Sequence, residues 1–194
     1  ARDAGKATNI WRCLAFSNHD VRRTASRFNK NQSDSEAISS IAMALLMSLR
    51  GTPCIYQGEE LGLTEADIPF EQLVDPYGIA FWPKFKGRDG CRTPMPWQND
   101  HPKAGFTEAE QTPWLPIPDE HRNLSVNLQS KTSDSPLLKT KALITLHCQH
   151  ESFHSDRLVV LDSQTDILMF ERGDDDARIL CVFNLSDQPI TCKK

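Results

Sequence analysis

Asn18, His19 and Asp20 follow a short apolar run, and they are the sharpest chemical feature of the sequence. An imidazole and a carboxylate at the end of a buried strand can hold substrate hydroxyls, and the carboxylate can set negative charge beside a developing cation. The plainer alternative is a satisfied polar strand end with Asp20 capping the next turn, and Phe16 to Asp20 alone favours it. A second candidate is Gln57-Gly58-Glu59-Glu60. One of its carboxylates could pair with Asp20 as acid and base across a cleft. The favoured alternative is a Glu that orients arginines of the loops. The third is the stretch from Gly87 to Trp97. Arg88 and Arg92 carry planar donors suited to sugar hydroxyls or carboxylates. Phe81, Trp82 and Trp97 offer flat apolar faces of the kind a pyranose packs on, unless the loop packs onto its own aromatics. His147, His150 and His154 stand three and four apart. On a helix that approximates a metal face, but a solvated helix end favoured by the dipole is the preferred reading.

These residues need elements to position them. Ile10 to Phe16 reads as a buried strand with polar residues at its C-terminal end. Ser33 and Glu36 have the spacing of a capping box. Ile38, Ile41, Ala42, Leu45, Leu46 and Leu49 then follow helical periodicity, and Gly51 and Pro53 end the helix. Cys54 to Tyr56 is a second short strand, again with polar residues at its end. Strand, helix and strand make a βαβ unit, with both polar ends on the side where parallel α/β folds place active sites. From Leu61 to Ser133 the periodicity is weak, and a stretch of that length is usually functional. Ser135-Pro136 opens a helix to about His150, with Leu138, Ala142 and Leu146 on its apolar face. Leu158 to Leu161, Ile167 to Phe170 and Ile179 to Phe183 read as strands of a small antiparallel sheet. A turn at Gly173 to Asp176 lies between two of them, the last strand is expected to be covered on both faces, and Pro189 to Cys192 is a further β-like stretch.

The 194 residues are 39% apolar and 25% charged, as in a globular chain, and the net charge of -4 repels a phosphate backbone, so nucleic acid is not an expected partner. The longest apolar stretch, Ile38 to Leu49, is broken by three serines, so no membrane span is expected. The start at Ala1 lacks an initiator Met and an apolar core, so no secretory signal is expected and the chain reads as processed or cut from a longer one. The six cysteines form no CxxC pair. A zinc site or disulfide scaffold is not expected; Cys13, Cys54 and Cys181 read as small hydrophobes, and the compartment as reducing and cytoplasmic.

Four segments in order resemble glycoside hydrolase family 13, the α-amylase family, in its α-glucosidase and oligo-1,6-glucosidase branch. Phe16 to Arg23 resembles the motif at the end of barrel strand seven. Gly51 to Gly62 resembles the strand-eight motif. Lys86 to Trp97 resembles the long loop that follows strand eight, and Trp114 to Pro118 a stretch before the last barrel helix. The resemblance implies an α/β fold: the C-terminal part of a (β/α)8 barrel over residues 1–154, with strands and helices seven and eight, then a small antiparallel β-domain over 155–194. It implies that Asp20 stabilises an oxocarbenium-like transition state. His19 and Asn18 would bind the sugar beside it, and Arg88 and Arg92 would contact substrate. Glu59 and Arg23 would support them from behind.

The substrate implied is a small α-glucoside, with no cofactor and no metal. The same resemblance sets the family's nucleophilic Asp at strand four and its acid Glu at strand five, ahead of anything in this chain. Retaining hydrolysis needs both carboxylates, about 5 Å apart. A missing N-terminal barrel portion is therefore the expected partner, and the chain alone is expected to be inactive. Two other readings stay open: a glucosyl-transferring or isomerising relative, and a truncated, sugar-binding protein without catalysis.

Overall fold

A computed structural model describes residues 10–29, 34–174 and 177–191. In chain order the elements are β1 (Cys13–Leu14), α1 (Thr24–Arg27), α2 (Ser35–Ser48), β2 (Thr52–Pro53), α3 (Pro76–Phe81), α4 (Asp119–Arg122), α5 (Val126–Gln129), α6 (Pro136–Gln149), β3 (Leu158–Val160), β4 (Ile167–Arg172) and β5 (Ile179–Asn184). The fold is α/β, with a parallel pair β1–β2 and an antiparallel sheet in the order β3-β4-β5.

The expected βαβ unit is present, but its strands are shorter than the apolar runs. Only Cys13 and Leu14 pair in parallel with Thr52 and Pro53. The second strand thus ends before Cys54, whose amide still donates to the Leu14 carbonyl at 2.7 Å. Each strand has one neighbour among the described residues, so a ladder forms only where the two run side by side. Ile10, Trp11, Cys13 and Cys54 are exposed, so these two cysteines do not pack as core hydrophobes, whereas Cys181 does.

Asp34 caps α2, its carboxylate accepting from the amides of Glu36 and Ala37. The expected cap residue Ser33 lies outside the described residues. The buried face is rotated from the expected one: Met43, Leu46 and Met47 form the seam, and Ile41 faces solvent. The cause is α6, which packs along α2 and sends Leu143 into that seam together with Leu14, Phe16 and Ile55. In α6, capped by Ser135, Leu137 and Thr140 are buried, while Ala142 and Leu146 of the expected apolar face are exposed. The Nδ1–H of His147 donates to the Met47 carbonyl at 2.6 Å and fixes that rotation.

The stretch from 61 to 133 is ordered by short helical turns rather than long elements, which is why its periodicity is weak. Its start and its middle meet in one cluster, where Leu61, Leu63 and Met95 pack with Leu137 of α6. Gln129 adds a polar tie, its amide donating to the Leu61 carbonyl and its carbonyl accepting from the Leu137 amide. Further out, Ala66, Ile68 and Leu115 form a second small cluster.

The C-terminal sheet packs Phe170 and Cys181 on Phe153, with Leu45 of α2 and Leu49 just past its end against them. In β5 Cys181 is buried while Leu180 and Val182 are exposed, so this strand covers one face, not the expected two. β4 runs two residues past the expected end, because Arg172 is wholly buried there. Its guanidinium donates to the carbonyls of Ser48, Phe153, Ser155 and Arg157 at 2.7 to 3.1 Å. Residues 189–191 form no strand. Cys192, Asp175 and Asp176, from the expected β-like stretch and turn, lie outside the described residues.

Candidate active site

The chain leaves β1 through Ser17, whose hydroxyl accepts from the Thr24 amide at 2.9 Å and pairs with the Thr24 hydroxyl at 2.5 Å. This buried clasp bends residues 18–20 outward. The Asn18 side-chain oxygen accepts from the Asp20 amide at 2.8 Å, the Asx arrangement that short polar side chains favour at turns. Asn18 therefore spends its acceptor on the backbone that holds Asp20.

Asp20 is half-exposed and ringed by cations. Its Oδ1 accepts from Nη1 of Arg88 and Nη2 of Arg92, each at 3.0 Å. The Nε2 of His19 stands 3.4 Å from its Oδ2. Arg92 also donates through Nε to the His19 carbonyl at 2.7 Å. These residues lie about seventy positions apart in sequence, and the loop after β2 carries both arginines back over the end of β1. Partial burial acts to raise the Asp20 pKa, but the charge of His19 and the hydrogen bonds and charge of the two arginines outweigh it. The carboxyl is held below the usual range, so Asp20 is an anion wherever ordinary carboxylates are.

An open cleft of about 470 Å³ borders the cluster, within the size range of small-molecule sites. Asp20, Arg22, Glu65, Lys86, Arg88 and Cys91 are among its walls. Burial pushes the Glu65 carboxyl above its usual range, against bonds and charges from Arg23 and Arg22. Burial likewise pushes the Cys91 thiol up to about 11, so it is no nucleophile at neutral pH. The aromatics singled out in the sequence do not line this cleft. Phe81 stacks on Tyr77, Trp82 meets Phe70, and the Trp97 amide donates to Ala104. Phe85 is the ring that does line it.

Behind the cleft, Arg23 is buried with its guanidinium over the Tyr56 ring, and its Nη1 donates to the Gln57 carbonyl at 2.7 Å. Its backbone amide donates to Glu65. Glu59 is buried too, but it holds none of the arginines among the described residues. Its two oxygens accept from the Thr24 hydroxyl at 2.7 Å and the Tyr56 amide at 2.9 Å, which ties the segment after β1 to the segment after β2. Nor does it border the cleft beside Asp20.

The carboxylate that does orient an arginine of the site is Asp75, which is not among the sequence candidates. The pair Asp75-Pro76 is a helix-start signal, with a cap followed by Pro at the first helical position, and it could have marked this carboxylate. Nothing local shows that it would also meet Arg88. His147 is committed to Met47 and stacks on Phe153, and no cluster of His, Cys, Asp or Glu with metal-holding geometry occurs among the described residues.

Comparison with known proteins extends this picture. Residues 2–156 match the family model described as "Alpha amylase, catalytic domain". The chain is 44% identical over 181 residues to a probable α-glucosidase of Rhizobium meliloti strain 1021, covering 93% of this chain and 32% of that protein. It is 29% identical over 200 residues to an oligo-1,6-glucosidase of Heyndrickxia coagulans, covering 93% and 36%. Among solved structures, the α-glucosyl transfer enzyme XgtA matches with a TM-score of 0.84 and 45% identity, over 91% of this chain and 32% of that one. The chain thus spans about a third of the length of the relatives it matches. With most of its residues matched to that catalytic domain, Asp20, Arg88 and Arg92 included, the chain belongs to the α-amylase family.

Proposed function

We propose that this chain is the C-terminal portion of a retaining α-glucosidase that cleaves terminal glucose from small α-glucosides in the cytoplasm. In this reading β1 and β2 are barrel strands seven and eight, residues 1–154 belong to the barrel, and residues 155–194 open a β-domain. The preceding part of the protein supplies the remaining strands, the nucleophile and the general acid. The exposed apolar residues at the start of the parallel pair, Ile10 and Trp11, are consistent with a neighbour there.

The observation that carries the reading is the Asp20 carboxylate, bonded by Arg88 and Arg92 at the wall of a sugar-sized cleft. A fixed anion in such a place stabilises positive charge that develops on the sugar as the glycosidic bond breaks. His19 beside it offers a donor to a sugar hydroxyl, and the arginines hold Asp20 ionised and aimed. The likeness to a probable α-glucosidase supports the substrate class.

The test is Asp20→Ala in the full-length protein. Turnover of a small α-glucoside should fall by orders of magnitude, and wild-type-like turnover would remove the proposed role. The isolated 194-residue chain should show no hydrolysis. A second reading, transfer of glucose to a sugar acceptor, is favoured by the match to a glucosyl transfer enzyme. Product analysis with maltose, isomaltose, sucrose and trehalose separates the two, since transfer yields new glucosides beside the released leaving sugar, and hydrolysis yields only free monosaccharides.

A further inference from the structure

Asp75 is buried and its carboxylate is fully engaged. Oδ2 accepts from the backbone amide of Arg88 at 2.8 Å and from its Nε at 2.9 Å. Oδ1 accepts from Nη2 of the same side chain at 2.9 Å and from the Tyr77 amide at 3.2 Å. One carboxylate thus fixes both the backbone and the guanidinium of Arg88. A forked pair of this kind sets the plane of the guanidinium as well as its place.

The surrounding loop is shaped for that grip. Gly87 has φ +80°, and a Cβ there would come within 2.8 Å of Gly78 Cα and 3.0 Å of Asp75 Oδ2. Asp89, on the other side of Arg88, reciprocates, its Oδ2 accepting from the amides of Val74 and Asp75 at 2.7 and 2.8 Å. The Tyr77 ring lies 5.1 Å from the guanidinium carbon. Nη1 is left to point away from Asp75, and it meets Asp20 at 3.0 Å.

The geometry points to Asp75 as a positioning residue of this site, acting through Arg88 to hold one N–H against the Asp20 carboxylate. Its catalytic consequence rests on the α-glucosidase reading; the positioning itself does not. A purely structural Asp75 would only cap α3. Asn at this position keeps the cap oxygen for the Tyr77 amide but cannot accept both guanidinium N–H groups.

The experiment is a carbon-detected NMR titration of the Asp20 carboxyl in the full-length protein with labelled aspartate. The charges facing that carboxyl are His19, Arg88 and Arg92, and the Asp75 anion stands behind Arg88. Losing that anion alone would lower the Asp20 pKa, so a rise in Asp75→Asn reports the release of Arg88. In Asp75→Asn the Asp20 pKa should rise by about half a pH unit as Arg88 is released. Arg88→Lys should give a similar rise, and the double variant no further one. An unchanged Asp20 titration in folded Asp75→Asn, or additive shifts in the double variant, would overturn the proposal. If Asp75→Asn does not fold, Asp89→Asn replaces it, since it loosens the Val74–Asp75 backbone from outside. A smaller rise is expected there, and no rise overturns the proposal. These titrations need no turnover. Intact glucoside cleavage in Asp20→Ala would sink the functional reading while leaving the Asp75 result standing.

Discussion

The Nε–H of Arg92 donates to the main-chain carbonyl of His19 at 2.7 Å, so the loop after β2 holds the end of β1 by its backbone and not only by charge. A second N–H of the same guanidinium reaches Asp20. Lysine offers one point of attachment and cannot span both acceptors. Arg92→Lys in the full-length protein should therefore lower kcat/KM on a small α-glucoside by about ten- to a hundredfold, the cost of losing a charge-assisted hydrogen bond. Steady-state kinetics with unchanged folding would check it, and an unaltered kcat/KM would show that Arg92 is dispensable.

Gly87 is where the loop turns so that Arg88 can reach Asp75. Its positive φ and its contact with Gly78 leave no room for a methyl group. Gly87→Ala should destabilise the protein by about 1–3 kcal/mol. Urea denaturation is the measurement, and a midpoint matching wild type would mean that the turn relaxes freely.

How much of this was legible beforehand differs by level. The order of elements and the polar cluster after β1 could be read from short segments, because capping and periodicity are local. The faces of α2 and α6 could not. Both carry apolar residues around more than one stripe, and the seam was chosen by Leu143 and His147 meeting Met43, Leu46 and Met47 across the helix pair. Arg88 and Arg92 stand out in the sequence as planar donors, but their shared acceptor comes from the folded path of the loop. Asp75 was hidden for the same reason, because its bonding to Arg88 spans thirteen positions of irregular chain.

His121 is buried among Arg23, Thr64 and Thr93, and burial holds its pKa down to about 4, with the nearby Arg23 charge adding to the effect. Its Nε2–H donates to the Thr64 carbonyl at 3.0 Å, so Nδ1 is left to accept from the Thr93 hydroxyl. The folded state therefore resists protonation while the unfolded chain takes up a proton near pH 6.5. Stability from this residue is intact above that pH and falls as pH drops from about 6.5 towards 4, by up to about 3 kcal/mol. His121→Gln should flatten that part of the stability–pH curve; an equally steep curve in the variant would assign the slope to other groups.

Arg172 is buried against four carbonyls, with no carboxylate among its hydrogen-bond partners within the described residues. Arg172→Met would leave those acceptors without a donor and should cost about 3 kcal/mol or more. Arg172→Lys should recover little, because a single ammonium cannot reach from Ser48 to Arg157. Equilibrium unfolding of both variants tests this, and a Lys variant as stable as wild type would contradict it.

The two stems of the long loop after β2 share one anchorage, Leu61 and Leu63 on one side and Met95 on the other, locked beneath Leu137. A segment fastened at its root in this way is a natural cassette. It carries Asp75, Arg88 and Arg92 together, so a change that unseats the root shifts the arginines and the carboxylate that aligns one of them as a single unit.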